Sequence, residues 1–334
     1  MPLIIKLPEN RLYLKNHGPY RSHLNVLDRK KTAVQRQLRR GGLGSFELDF
    51  QAALLALCET SKPPLSVYDI GAHIGLYSAL IATIFHAQSP RITTFEPTPS
   101  TAKVTIKLRD KNGLDYEIRQ VAISDQIGTV DLFLSSKAET SNSLNSSFRK
   151  GDESVSVPVC TIDKLVADGL APPTLMKIDV ETFEANVLRG ALDTIERYKP
   201  IVTLEILSSV ARAPMHDVLK QIEGFGYSFY RVERRNFNWE KATADVVMDK
   251  ITSERPDWIC VADDLTPDFF AARTRWKHRL KECTAETNVL IPAGTPIPNA
   301  YRVPGTGSAK ARNLCKTGLR AALRAARKIY HSRT

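Results

Sequence analysis

The 334-residue sequence contains no apolar stretch approaching the roughly 18 residues of a membrane-spanning helix, so none is predicted. Cysteine is sparse. Cys58, Cys160, Cys260, Cys283 and Cys315 are scattered, odd in number and never spaced C-x-x-C. That excludes a disulfide framework and a cysteine zinc site. The opening stretch, Met1 to Glu9, is too short and too broken by Pro2 and Pro8 to read as a signal peptide. These absences predict a cytoplasmic chain. No internal repeat is found. What is present is ordinary: 43% hydrophobic and 25% charged residues suffice for a sizeable core. That excludes wholesale disorder, collagen-like repeats and a coiled coil. The length fits one large domain with additions, or two domains.

The net charge of +11 is less ordinary. Taken whole, it suggests nucleic acid or an anionic membrane as partner. Its distribution argues otherwise. Residues 1–45 hold ten Lys/Arg and two acids, and residues 305–334 hold eight Lys/Arg and none, leaving 46–304 at −5. The chain therefore divides into a basic N-terminal extension (1–45), a mildly acidic domain (46–283), a Pro/Gly-rich linker (284–309) and a basic C-terminal helix (310–334). Arginines at 312, 320, 324 and 327 among Leu314, Leu319, Leu323 and Ile329 suit an amphipathic helix that contacts anionic lipid. They equally suit a solvated tail.

The acidic middle alternates strand and helix patterns. Ser66–Ile70, Arg91–Phe95, Tyr116–Ser124, Val155–Ile162, Thr174–Val180 and Pro200–Ile206 read as strands, with Tyr227–Val232 and Trp258–Ala262 as the last two. Thr129–Leu134 suits a hairpin with 116–124. Residues 46–60, 76–86, 98–109, 183–198, 215–223 and 267–282 read as helices. The Ser- and Asn-rich 135–154 reads as a loop and candidate lid. This order implies a mostly parallel sheet covered on both faces, whose ligands bind beyond the carboxyl ends of its strands.

The first strand end reads Asp69-Ile70-Gly71-Ala72-His73-Ile74-Gly75. Gly71 permits close backbone approach and Gly75 close helix packing. The diphosphate-cradling G-x-G-x-x-G is missing. Glu96 ends the second strand, where an acid accepts hydrogen bonds from the ribose hydroxyls of an adenosine. A phosphate-free donor, S-adenosylmethionine, fits this pair better than NAD. Asp69 is placed to receive its ammonium group directly or through water.

The ordered series Val67–Gly75, Phe95-Glu96-Pro97-Thr98-Pro99, Val121-Ala122-Ile123-Ser124-Asp125, Val157–Asp163, Leu175–Glu181, Leu188-Arg189-Gly190-Ala191 and Pro200–Ile206 resembles the FkbM family of class I S-adenosylmethionine-dependent methyltransferases. The resemblance runs from about Val67 to Ile206. It implies a Rossmann-like α/β fold with a seven-stranded, mostly parallel sheet. It also implies a donor site of Asp69, Gly71, Ala72, His73, Gly75, Glu96, Pro97 and Ala122, with S-adenosyl-L-methionine as cofactor. The implied reaction is methylation of a hydroxyl on a sugar, glycolipid or other natural product, making a small-molecule or glycan the partner rather than nucleic acid. Two positions depart from the family: His73 stands where Asn is usual, and Thr182 where Gly is usual. The histidine introduces a pH-sensitive charge, and both departures leave an inactive, methyltransferase-like binding protein as an alternative. A nucleic-acid methyltransferase steered by the basic ends is another.

For a hydroxyl acceptor, alignment and a base are needed. Asp179 and Glu181 end the fourth parallel strand and share one side by period two, with Lys177 one step deeper. Two close carboxylates raise one pKa and make them the candidate catalytic pair. Asp179, Glu181 and Glu205 lie at adjacent strand ends, but their spacing is not diagnostic of a metal, and none is assigned.

Overall fold

The computed structural model describes residues 2–6, 23–28, 32–134, 153–235, 239–251 and 256–286. The basic C-terminal helix, nearly all of the linker and nearly all of the candidate lid lie outside the described residues. The chain runs through β1 (Pro2–Lys6), β2 (His23–Asp28), α1 (Ala33–Gly41), α2 (Leu48–Thr60), β3 (Ser66–Ile70), α3 (Leu76–Ile84), β4 (Arg91–Phe95), α4 (Pro99–Asn112), β5 (Glu117–Arg119), β6 (Ala122–Ile123), β7 (Gly128–Leu134) and β8 (Glu153–Cys160). It continues through α5 (Ile162–Ala167), β9 (Leu175–Ile178), α6 (Glu184–Arg189), α7 (Leu192–Tyr198), β10 (Ile201–Glu205), α8 (Arg212–Gly224), β11 (Ser228–Arg231), β12 (Lys241–Ala242), α9 (Ala244–Asp249), β13 (Asp257–Val261), α10 (Pro267–Lys281) and β14 (Ala285–Glu286). No helix among the described residues is long and apolar enough to cross a membrane.

The fold is a Rossmann-like α/β architecture built on a mostly parallel sheet. Its main sheet has the order β12-β11-β13-β10-β9-β3-β4-β5. The run from β5 to β10 is parallel, and β13 is antiparallel to both of its neighbours. The sheet has eight strands rather than seven, because the two-residue β12 adds an edge beyond β11. Period-two alternation sends side chains to two separate cores. Val67, Leu175 and Ile259 pack with α2, α3 and α10, whereas Tyr68, Met176 and Val202 pack with α6, α7, α8 and α9.

Three expectations change. The stretch 116–124 is not one strand. It breaks after Arg119, so that β5 closes the main sheet while β6 enters a small sheet of order β6-β8-β7. β7 accordingly pairs with β8 and not with the strand before it. The helix expected over 183–198 is split at Gly190-Ala191 into α6 and α7. The cause is local crowding: a Cβ on Gly190 would lie 1.9 Å from the Ser124 carbonyl oxygen. Elements of the N-terminal extension take part in the structure of the acidic domain. β1 pairs with β14 across the domain, and α1 packs into the same core as α2 and α10. A Thr32–Gln35 capping box starts α1, with Gln35 N donating to Thr32 Oγ1 at 3.2 Å and Thr32 N donating to Gln35 Oε1 at 3.3 Å.

Acids of α2 clamp it to the basic face of α10. Asp49 meets Arg273 at 3.2 Å and also Lys277, while Glu59 meets Arg275 at 2.6 Å and accepts from the Trp276 indole at 2.7 Å. Buried Arg273 also lies 4.9 Å from the Trp239 ring centre.

Gly190→Ala is expected to destabilise the fold by at least about 2 kcal/mol through backbone overpacking. Gly224→Ala, where an added Cβ meets nothing within 4 Å, is expected to be neutral or to stabilise by about 0.5 kcal/mol. Urea unfolding of the two variants checks the contrast, and equal stability would contradict the crowding account.

Candidate active site

The chain order reverses direction across the sheet between β3 and β9, which places a crevice beyond their carboxyl ends. There the backbone of the first turn is held tightly. The Gly71 and Ala72 N–H groups both donate to the Phe95 carbonyl at 3.1 Å. A Cβ on Gly71 would fall 1.8 Å from the Asp179 carbonyl oxygen, so at this left-handed position only glycine lets β3 and β9 end side by side. Beyond the turn opens a cavity of about 330 Å³. Gly71, Ala72, His73, Glu96, Pro97, Ala122, Asp179 and Glu181 line it, with Lys177, Glu205, Glu47 and Tyr77.

Two of the expected residues stand behind this wall. Gly75 starts α3 and packs on Thr105. Asp69 is buried and turned to α3, accepting from Ser78 Oγ at 2.6 Å and Ser78 N at 3.2 Å. Its other oxygen faces the Lys177 ammonium at 3.7 Å. Asp69 therefore acts on the cavity through Lys177, not by lining it.

Glu96 spans the turn. Its carboxylate accepts from His73 N and from Thr98 N, both at 2.9 Å. Burial pushes its pKa up to about 7, against the pull of these bonds and of Lys177. His73 adopts a left-handed backbone, and its carbonyl accepts from Thr105 Oγ1 at 2.6 Å. Burial lowers the imidazole to about 4, so the ring is neutral near pH 7 and is not the physiological pH sensor its composition suggests. Its buried Nε2 has no hydrogen-bond partner among the described residues.

The opposite end of the cavity is acidic. Lys177 Nζ lies 2.9 Å from Asp179 Oδ2 and donates to the Gly71 carbonyl at 3.3 Å. Burial opposes ionisation of Asp179, but Lys177 and a hydrogen bond from Glu205 outweigh it and hold the carboxylate below its usual range. Burial and the Asp179 charge push Glu205 far up, so it carries a proton. Asp179 and Glu205 thus form a hydrogen-bonded carboxyl pair across two neighbouring strands. Asp257, opposite Glu205 in register, is raised by burial and by Glu47 and Asp179. Glu47, ahead of α2, accepts from the Tyr77 hydroxyl. Burial and Asp179 push its carboxyl up as well. Among the described residues no group of three His, Cys, Asp or Glu side chains is arranged to hold a metal.

Residues 69–229 match the family described as the methyltransferase FkbM domain. That match spans a little under half of the 334 residues. No curated protein matches the chain. Among solved structures, a methyltransferase FkbM from Methylobacillus flagellatus KT is similar at 15% identity and a TM-score of 0.38, over 65% of this chain and 56% of that one. The chain thus spans little more than half of that protein's length. A precorrin-6y C5,15-methyltransferase from Geobacter metallireducens GS-15 is similar at 12% identity and a TM-score of 0.33, over 63% and 85% of the two chains. A methyltransferase from Pyrococcus furiosus is similar at 9% identity and a TM-score of 0.32, over 63% and 81%.

Within the matched residues the departures His73 and Thr182 fall on left-handed backbone, at φ 50° and 76°. Asn and Gly enter that region most easily, and a β-branched threonine least. Glu181, at φ 54°, precedes Thr182 in the same turn. A residue that sequence reasoning missed holds the turn together. Buried Glu184 reaches back so that Oε1 accepts from Val180 N at 3.1 Å and Thr182 N at 3.2 Å. An acid three residues after a strand-end Glu, opening a helix, was the available signal.

Burial raises Glu184 from 4.5 to about 8. The folded protein then keeps a proton that the unfolded chain releases, so stability falls as pH climbs from about 4.5 towards 8. At about 1.4 kcal/mol per unit the loss reaches roughly 4 kcal/mol. Glu184→Gln is expected to flatten this slope, as measured by denaturant unfolding at pH 5, 6.5 and 8. An unchanged slope would remove the assignment.

Proposed function

We propose that the domain methylates a hydroxyl of a sugar, glycolipid or other natural product, using S-adenosylmethionine as donor. One observation carries the reading: a single cavity joins the carboxylate of Glu96 to the Asp179–Glu205 pair at the strand ends of a methyltransferase domain. The residues present fit the donor. His73 Nε2 offers an unfilled hydrogen-bonding position in the wall. Each Glu96 oxygen that holds a backbone N–H keeps a second acceptor site for a ribose hydroxyl. Gly71 leaves the floor open where a side chain would collide with β9. Gly71, Ala72, His73, Glu96, Pro97 and Ala122 would hold the donor, while Asp69 and Gly75 keep that wall in place.

When bound, S-adenosylmethionine supplies a methyl group already activated by the sulfonium charge. The protein's own work is alignment and proton handling. Asp179 stays ionised near neutral pH because Lys177 stands against it. It takes the acceptor's hydroxyl proton. Glu205, protonated, donates to Asp179 and fixes its orientation. Glu181 lines the same end and is the second candidate base.

Radiolabel carried from S-adenosylmethionine into hydroxyl-bearing glycan or lipid pools tests the reading, and label that enters none of them would overturn it. Two further outcomes are expected. Glu96→Ala weakens donor binding at least about tenfold by calorimetry, the loss of charge-assisted hydrogen bonds. Asp179→Asn lowers kcat by about a hundredfold or more, as for a lost base. Glu205→Gln, which still donates to Asp179, keeps kcat within about fivefold; a loss equal to that of Asp179→Asn would deny Glu205 its donor role.

A further inference from the structure

We propose that Glu47, which precedes the matched segment 69–229, is a specificity-determining residue that hydrogen-bonds a neutral, polyhydroxylated acceptor at the Asp179 end of the cavity. The inference rests on the methyl-transfer reading above and names its substrate class.

Glu47 occupies the N-cap position of α2, yet its side chain makes no cap bond. The residue keeps exposed surface, but its carboxyl reaches into the cavity, where its neighbours screen it from water and it accepts from the Tyr77 hydroxyl. Its backbone is left-handed, at φ 37°, a conformation that a non-glycine residue keeps only where its surroundings enforce it. The surroundings do so here. Asp49, two residues on, is tied to Arg273 and Lys277 of α10. Tyr77 is packed edge-on against Phe50, with ring centres 5.3 Å apart. The carboxylate is therefore held in place before any acceptor arrives.

The groups around it select the acceptor's charge. Asp179 and Glu205 share this end, and Asp257 stands behind Glu205. The cation among them, Lys177, is occupied by Asp69, Asp179 and the Gly71 carbonyl. An anionic acceptor would meet this acidic wall with Lys177 already taken. A cationic acceptor would meet the sulfonium charge of the bound donor. A neutral polyol meets neither obstacle. Its hydroxyls donate to Glu47 and Asp179, while the proton of Glu205 stays directed at Asp179. Gln37 of α1 adds an amide on the same wall.

The test uses the full chain, labelled S-adenosylmethionine and an extract of source cells lacking the gene. At limiting extract, Glu47→Ala is expected to lower the rate of label incorporation at least tenfold, and the isosteric Glu47→Gln three- to tenfold. Donor affinity, measured separately by calorimetry, stays within twofold in both variants. After acid hydrolysis the labelled fragment migrates as a neutral sugar at pH 7. An unchanged rate in Glu47→Ala, a parallel loss of donor affinity, or a labelled fragment that migrates as an anion or a cation would each overturn the inference. If the wild-type chain binds no donor, or binds it and labels no fraction, the methyl-transfer reading fails and takes this inference with it.

Discussion

Everything at the site depends on a buried ammonium, that of Lys177. Three groups from two strand ends compete for it: Asp69 from β3, the carbonyl of Gly71 just past β3, and Asp179 just past β9. Removing a charge from water is costly unless partners compensate it, and here carboxylates on two adjacent parallel strands do so. The same lysine decides which carboxyls are charged. Asp179 keeps its charge because Lys177 is close. Glu205, farther from the cation and facing Asp179, keeps its proton. One cation thus splits a group of chemically similar acids into an acceptor and a donor.

Backbone strain gathers around this charge network. Among the described residues, left-handed conformations without glycine occur at Glu47, His73, Ser89, Glu181, Thr182 and Lys199. Three of these, Glu47, His73 and Glu181, line the cavity, and Thr182 adjoins it. Such conformations persist where surrounding contacts over-determine them. Glu184 supplies those contacts for one turn, Thr105 and Glu96 for another, and the α2–α10 clamp for the third. Rigid elements therefore hold strained residues in place, as a site that works by alignment requires.

Much of this was legible in the sequence. Strand ends announce themselves where an apolar, β-branched run meets Gly71 or Pro97, and chain order then brings Asp69, Glu96 and Asp179 to one edge. Side-chain direction was less legible. Asp69 ends up behind the wall because Ser78, nine residues on, claims it. The partner of Asp179 was sought two residues away at Glu181, yet the β9–β10 register sets Glu205 beside it instead. The recurring apolar residues Tyr116, Ile118, Val121 and Ile123 read as one strand and concealed the break at which the chain leaves one sheet for another. Glu47 and Tyr77 meet only after α2 and α3 have packed, a contact 30 residues apart that carries no periodic signature.

The wall contributed by residues 33–47 has a consequence for how such a molecule diversifies. The donor half is confined by glycines that tolerate no side chain and by a lysine committed to three partners. The wall that faces the proposed acceptor comes from a segment upstream of the matched residues, and Asp49 just beyond it is tied to α10 by largely buried ion pairs. Among the described residues Gln37 is no partner of Lys177, whereas Glu47 adds to the charge that the lysine feels. On the proposed reading, variation in a short leading stretch would then let one transfer machinery serve different products.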